Sequence, residues 1–214
     1  VTASFEDLLE YHAAILGITG TGKTELAFDV IRHALSRGVK VFCVDFTGEY
    51  KQRLADANPE SLGLSADLAR TLQERLFDVE TGEYGAGKEK QALKEFIKRI
   101  TPNIKSAVDD FLKRDGPGLG IFEIEEIANT KATLRATELY LSSIFGWARK
   151  NRMKRRILLV LEEAHTIIPE TNLYGFDKVG TTAVVGRMNQ IALQGRKYGV
   201  GILLISQRTA LVSK

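Results

Sequence analysis

Residues 17–24 read GITGTGKT, a glycine-spaced loop closed by a lysine and a threonine. The stretch in front of it, HAAILG (12–17), is apolar. The stretch behind, TELAFDVIRHALSRG, carries Leu26, Val30 and Leu35 at helical spacing, with Gly38 placed to end the helix. A loop of this composition constrains the chain heavily. Its glycines let backbone amides converge without side-chain obstruction, and a helix amino terminus behind it adds a favourable field for anions. The pattern G-x-x-x-x-G-K-[ST] carries meaning only between a strand and a helix, and that is where it stands. The first unit is therefore strand, loop, helix.

Four more apolar, β-rich runs follow: VKVFCVD (39–45), LGIFEIEE (119–126), RILLVLEE (156–163) and VGILLISQ (200–207). Helical patterns separate them. ATLRATELYLSSIFGWARK sets Leu134, Leu141, Ile144 and Ala148 along one face, and DKVGTTAVVGRMNQIALQGRKY is long enough for a helix before the last strand. Continuous apolar strands alternating with helices specify an α/β fold, a mainly parallel sheet covered by helices. The rhythm lapses over 51–118, read as a helical insertion within a single core spanning 1–214. There KEKQALKEFIKRI and IKSAVDDFLKR form two helices, with Thr101 and Pro102 as cap and first-turn pair between them. GPGLG (116–120) is a turn into the third strand. The chain opens on valine and stops at LVSK soon after a strand, so a piece of a longer protein is expected.

Composition adds exclusions. The 214 residues are 44% hydrophobic and 27% charged, enough for one large domain with a substantial core. Thirty basic against 27 acidic residues give +3, so any polyanion-binding surface is local. The single cysteine, Cys43, lies inside VKVFCVD and reads as a core thiol, which excludes a disulfide framework. Apolar runs of about five residues are too short to span a bilayer. No signal-peptide pattern opens the chain, so a reducing cytoplasm and no membrane association are expected.

The chemistry follows from the loop. Gly17, Thr19, Gly20, Thr21, Gly22, Lys23, Thr24 and Glu25 are the candidate nucleotide-binding residues, with Lys23 reaching the β- and γ-phosphates of ATP and the Thr24 hydroxyl ligating Mg2+. Such a site needs an acidic residue for the metal and a carboxylate to polarise water, at the end of a strand beside the loop. RILLVLEE supplies both. Glu162 is assigned to the metal and Glu163 to water activation, with the swapped assignment as the alternative. DFTG (45–48) matches the D-x-x-G of GTPases, but the guanine-reading N-K-x-D is absent and DFTG follows the loop helix too closely.

Gln207, ending the last strand, is placed to sense the γ-phosphate or position water; the alternative is a surface residue at a strand end. Arg196 and Lys197 end the preceding helix, where they either neutralise its carboxyl end or present an arginine finger to a neighbouring subunit's nucleotide. RKNRMKRR (149–156) has the same ambiguity, between helix-end cations and phosphate contacts. His12, His33 and His165 show no metal spacing and read as structural.

HAAILGITGTGKTELA, VFCVDFTGEY, ILLVLEEAHTIIPE and GRKYGVGILLISQRT, in that order, resemble the HerA branch of the HerA–FtsK superfamily of RecA-like motor ATPases. The resemblance covers the core strands and fades over 51–118. It implies a RecA-like P-loop fold, hexameric rings with ATP between subunits, and double-stranded DNA in the central channel. It implies that Arg196 of GRK is the trans-acting finger and that Gln207 is the glutamine following the sensor strand. It also implies an effector partner, a NurA-like nuclease or, as in bacterial anti-phage relatives, a nuclease or sirtuin-type enzyme. Thr209 stands where the family usually has proline, and no amino-terminal barrel is recognisable before the loop. The expected function is thus an ATP-dependent DNA translocase or helicase. The alternatives are an assembly or scaffold ATPase organising an effector enzyme, and a motor on another polymer such as a secretion ATPase.

Overall fold

The computed structural model describes residues 4, 7, 12–18, 20–81, 87–124, 130–164 and 178–207, the side chains of 80, 130, 178–181 and 183 apart. Its strands are β1 (Ala13–Leu16), β2 (Lys40–Asp45), β3 (Glu60–Ser61), β4 (Gly118–Glu123), β5 (Ile157–Leu161) and β6 (Val200–Ser206). Its α-helices are α1 (Lys23–Ser36), α2 (Tyr50–Arg53), α3 (Ala66–Thr81), α4 (Gly87–Lys113), α5 (Thr130–Asn151) and α6 (Lys178–Tyr198). The strands form one six-stranded sheet in the order β1-β6-β5-β2-β4-β3, and every pairing is parallel.

The two-residue period of a strand divides the interior into two layers. Phe42, Val44, Phe122, Ile157, Leu159, Leu161, Val200 and Ile202 point to one face, where α3 to α6 cover them. Val41, Cys43, Leu119, Ile121, Leu158, Val160, Leu203 and Ile205 point to the other, against Ala27, Phe28, Ile31 and Ala34 of α1. The strands read as unbroken apolar runs because both faces are buried. Cys43 is fully buried, as expected of a core thiol. In α1 the buried stripe is Ala27, Phe28, Ile31 and Ala34, while Leu26 is half exposed.

The segment 51–118 contributes to the same core. α4 is one helix of 27 residues that runs through Pro102, not two helices capped at Thr101 and Pro102. Its buried stripe of Phe96, Ile100, Ile104, Val108 and Phe111 passes the proline without interruption, and Pro102 lies exposed on the opposite side. Burial along that stripe outweighs one lost backbone hydrogen bond. Phe111 packs on Phe42 at 4.9 Å, and Phe42, Phe122 and Tyr140 form a stack with centroid spacings of 5.7 and 4.0 Å. The Tyr140 hydroxyl accepts the Leu64 N–H at 3.0 Å. The short strand β3 lies beside β4, and a side chain at Gly120 would collide with Leu62, 2.3 Å from the Cβ position.

Two strand ends differ from the sequence reading. β5 stops at Leu161, so Glu162 and Glu163 lie in the turn beyond it rather than on the strand. β4 stops at Glu123, and residues 125–129 lie outside the described set.

Candidate active site

All six strands point their carboxyl ends the same way, so the turns after β1, β2, β5 and β6 gather at one edge of the sheet. The loop after β1 is anchored by the Gly17 N–H donating to Ser206 O at 3.4 Å. Gly20 and Gly22 both take φ of 80°, the left-handed region glycine enters without strain, and Gly22 is the cap of α1. The Lys23 ammonium and the Thr21 hydroxyl each donate to Ile18 O at 2.8 Å. Lys23 is 9% exposed, and one carbonyl occupies only one of its three N–H donors. Thr19 lies outside the described residues. Glu25, in the first turn of α1, pairs with Arg53 of α2.

The strand that leads to the two carboxylates is not adjacent to the loop strand, because β6 lies between β1 and β5. The carboxylates still reach the loop helix. The Thr24 hydroxyl donates to Glu162 Oε1 at 3.4 Å. Glu162 is 3% exposed. Burial pushes its carboxyl above the usual range; hydrogen bonds from Tyr50 and Thr24 oppose this, and the nearby charges of Glu163 and Asp45 add to it. Glu163 has φ of 44°, an uncommon left-handed setting for a residue with a Cβ, which turns its side chain toward β6. There the Gln207 side-chain amide donates to Glu163 Oε1.

Two further residues of the site, Asp45 and Tyr50, lie in and just after the DFTG motif. Asp45, fully buried at the end of β2, folds the DFTG turn around its carboxylate. Oδ1 accepts the Thr47 N–H (2.9 Å), the Thr47 hydroxyl (2.8 Å) and the Gly48 N–H (3.1 Å), and Oδ2 accepts the Tyr50 N–H (3.0 Å). Tyr50, also fully buried, donates its hydroxyl to Glu162 Oε2. Burial and then the charge of Glu162 push the phenol far above its ordinary range, so it stays protonated. The signal available in the sequence was an aspartate followed two residues later by Thr-Gly, the composition of a side-chain-capped turn.

Other candidates lie elsewhere. Arg196 stands at the carboxyl end of α6, just before β6 begins, hence at the sheet edge opposite the loop. α6 is drawn tightly onto β6 there, since a Cβ on Gly195 would lie 2.5 Å from Val200 O. Arg196 therefore has no path to its own Glu162 or Glu163. The 149–156 stretch is at that same edge, with Met153 and Arg155 against Gly199. Within it Arg155 ties down the end of α4, donating to Leu112 O at 3.3 Å and pairing with Asp115. His12 is structural: its Nδ1 accepts the Ile202 N–H (3.0 Å), which leaves Nε2 to donate to Ala192 O (3.0 Å). His165 is outside the described residues.

The donors at the site fit Mg2+. They are hard oxygens, one hydroxyl and one carboxylate, and among the described residues no cluster of three or more His, Cys, Asp or Glu could cage a metal. Mg2+ is usually held in that way, by one or two protein oxygens with phosphates and water completing the shell.

The chain is 22% identical to "Probable helicase MJ1565" of Methanocaldococcus jannaschii over 94% of its own length and 50% of that protein. It is 24% identical to "DNA double-strand break repair helicase HerA" of Sulfurisphaera tokodaii, over 76% of this chain and 33% of that one. The chain thus spans half or less of the curated relatives it matches. In fold it is similar to VirB4 of Thermoanaerobacter pseudethanolicus, with a TM-score of 0.57 at 13% identity, covering 91% of this chain and 69% of that one. The architecture is the α/β, RecA-like P-loop fold. The profile of the family described as "Helicase HerA, central domain" matches residues 1–166. The chain belongs to the HerA helicase central-domain family.

Proposed function

We propose that this chain is the ATP-hydrolysing core of a HerA-type DNA translocase or helicase. The observation that carries the reading is the convergence at one sheet edge of the GITGTGKT loop, the Thr24–Glu162 contact and the Glu163–Gln207 contact. Support also comes from the relatives named as helicases.

In this reading the loop amides and Lys23 hold the triphosphate, Lys23 drawing on donors that Ile18 O leaves unused. Thr24 and Glu162 hold Mg2+, which when bound supplies charge neutralisation on the phosphate oxygens. Glu163 accepts a proton from the attacking water, and Gln207 fixes the orientation of Glu163 and responds to the γ-phosphate. Arg196, remote from its own loop, completes a neighbouring subunit's site, so the active form is a ring, a hexamer by family resemblance. Double-stranded DNA is the track, and a nuclease or other effector is the partner. No helix among the described residues is long and apolar enough to cross a membrane.

ATPase measurement on the full-length protein with and without double-stranded DNA tests this reading. Stimulation that weakens steeply with salt is expected, because phosphate contacts release counterions. ATPase activity indifferent to DNA and dependent on an added effector enzyme would replace the motor by the scaffold reading.

A further inference from the structure

The turn between β2 and α2 is built with unusual care for a surface connection. Asp45 spends four hydrogen bonds on it, and the last fixes the backbone of Tyr50. The segment that follows the turn, residues 50–56, is then fastened to the phosphate-loop helix through three residues. The Tyr50 ring meets Phe28 edge-on at 5.0 Å, Arg53 pairs with Glu25 and lies over Phe28, and Arg32 pairs with Asp56 at 2.8 Å. What this framework delivers at its inner end is a single phenol, aimed at Glu162 Oε2.

The two oxygens of Glu162 thus have separate partners: Oε1 faces the Thr24 hydroxyl and Oε2 the Tyr50 hydroxyl. β2 and β5 are paired neighbours, and the Glu162 N–H donates to Val44 O at 3.4 Å, so the backbones at both ends of the contact are tied together. A carboxylate side chain at a turn has several rotamers to choose from. Donation by Tyr50 to one oxygen selects the rotamer in which the other faces α1.

We propose that Tyr50 is a positioning residue for metal-dependent nucleotide binding: its hydroxyl holds Glu162 in the orientation that presents Oε1 beside Thr24. Asp45 contributes by fixing where Tyr50 starts. The inference rests on the ATP and Mg2+ reading above and adds to it a residue reached through the sheet rather than through the loop.

The test is equilibrium binding of a fluorescent, slowly hydrolysed ATP analogue to the full-length protein, titrated with Mg2+ and repeated in EDTA. Tyr50→Phe keeps the ring against Phe28 and removes only the hydroxyl. It should raise the Mg2+ midpoint about tenfold, the scale of losing a group that orients a metal ligand, while binding in EDTA stays at the wild-type level. In a Glu162→Gln background the same substitution should add no further shift. An unchanged midpoint in Tyr50→Phe overturns the proposal. So does an equal shift in the Glu162→Gln background, which would place the effect in packing. If the wild type binds the analogue with no Mg2+ dependence, the reading beneath falls, and this proposal with it. A wild type that depends on Mg2+ beside a Tyr50→Phe variant that matches it leaves that reading standing and removes only Tyr50.

Discussion

The Gln207 amide donates to Glu163 Oε1, joining the ends of two neighbouring parallel strands, β6 and β5. Glu163 reaches this contact through a left-handed backbone, so its direction is set by the turn as well as by its partner. Its neighbour Glu162 turns the other way, toward Thr24 and Tyr50. Two adjacent acids have been separated into two environments, which favours the metal and water roles over a shared one.

Glu163→Gln should retain nucleotide binding and lose turnover by about 100-fold or more, the range for removing a general base. Gln207→Ala should lower turnover less. Combined, the two should cost little more than Glu163→Gln alone, because contacting groups are not additive. Steady-state ATPase and analogue binding on the three variants check this; full additivity would dissociate the pair.

Gly22→Ala forces a Cβ onto a residue at φ 80°, a strain of about 1–2 kcal/mol. The loop should relax away from its phosphate-binding shape, and nucleotide affinity should fall about tenfold. The thermal melt without nucleotide should fall by only a few degrees, the scale of that strain alone, since no atom lies within 4 Å of the new Cβ.

How far the sequence alone reaches is clear from these residues. GITGTGKT, the long strands and the two acids are legible because each is a local pattern whose neighbours in sequence fix its meaning. Leu134, Leu141, Ile144 and Ala148 have the spacing of one helix face, and all are buried. Thr101 and Pro102 mislead because proline speaks for a helix start, while the buried stripe that overrides it, Phe96 to Phe111, extends over about four turns. β3 is two residues long and has no periodicity to find. Tyr50 is invisible as a site residue in the sequence because its target, Glu162, lies 112 residues away and is met only once β2 and β5 pair.

The arginine-finger reading of Arg196 requires a second copy of the chain, because Arg196 lies at the sheet edge opposite its own loop. In ATPase assays on wild type mixed with Arg196→Ala at fixed total protein, activity should fall faster than the wild-type fraction, because each mutant subunit disables a neighbour. A straight line through the mixing series would assign Arg196 to the helix end alone.

Lys40 is 2% exposed, its ammonium over the Phe111 ring at 4.8 Å. Burial, and then the charges of Arg114 and Arg155, lower its pKa. Below the folded-state value the residue is charged in both states, and the burial penalty is fully present. As pH rises past that value toward the ordinary lysine range the folded protein releases its proton first, and the penalty is relieved. Lys40→Met should therefore stabilise the protein at pH 7 by on the order of 1 kcal/mol, raising Tm by about 2–4 °C. The gain should shrink as pH approaches about 10, as thermal melts across that range would show.

The position of β6 has a mechanical consequence. It is hydrogen-bonded along both edges, to β1 and to β5, and packed on both faces, so it cannot slide or buckle on its own. Seven residues of strand make a strut about 20 Å long, with Gln207 at one tip and the Arg196 helix end at the other. If one tip feels the chain's own nucleotide and the other a neighbour's, then the two sites of a subunit are at opposite ends of one stiff rod. News of hydrolysis would then pass round a ring by displacement of whole domains rather than by a change of shape inside any of them.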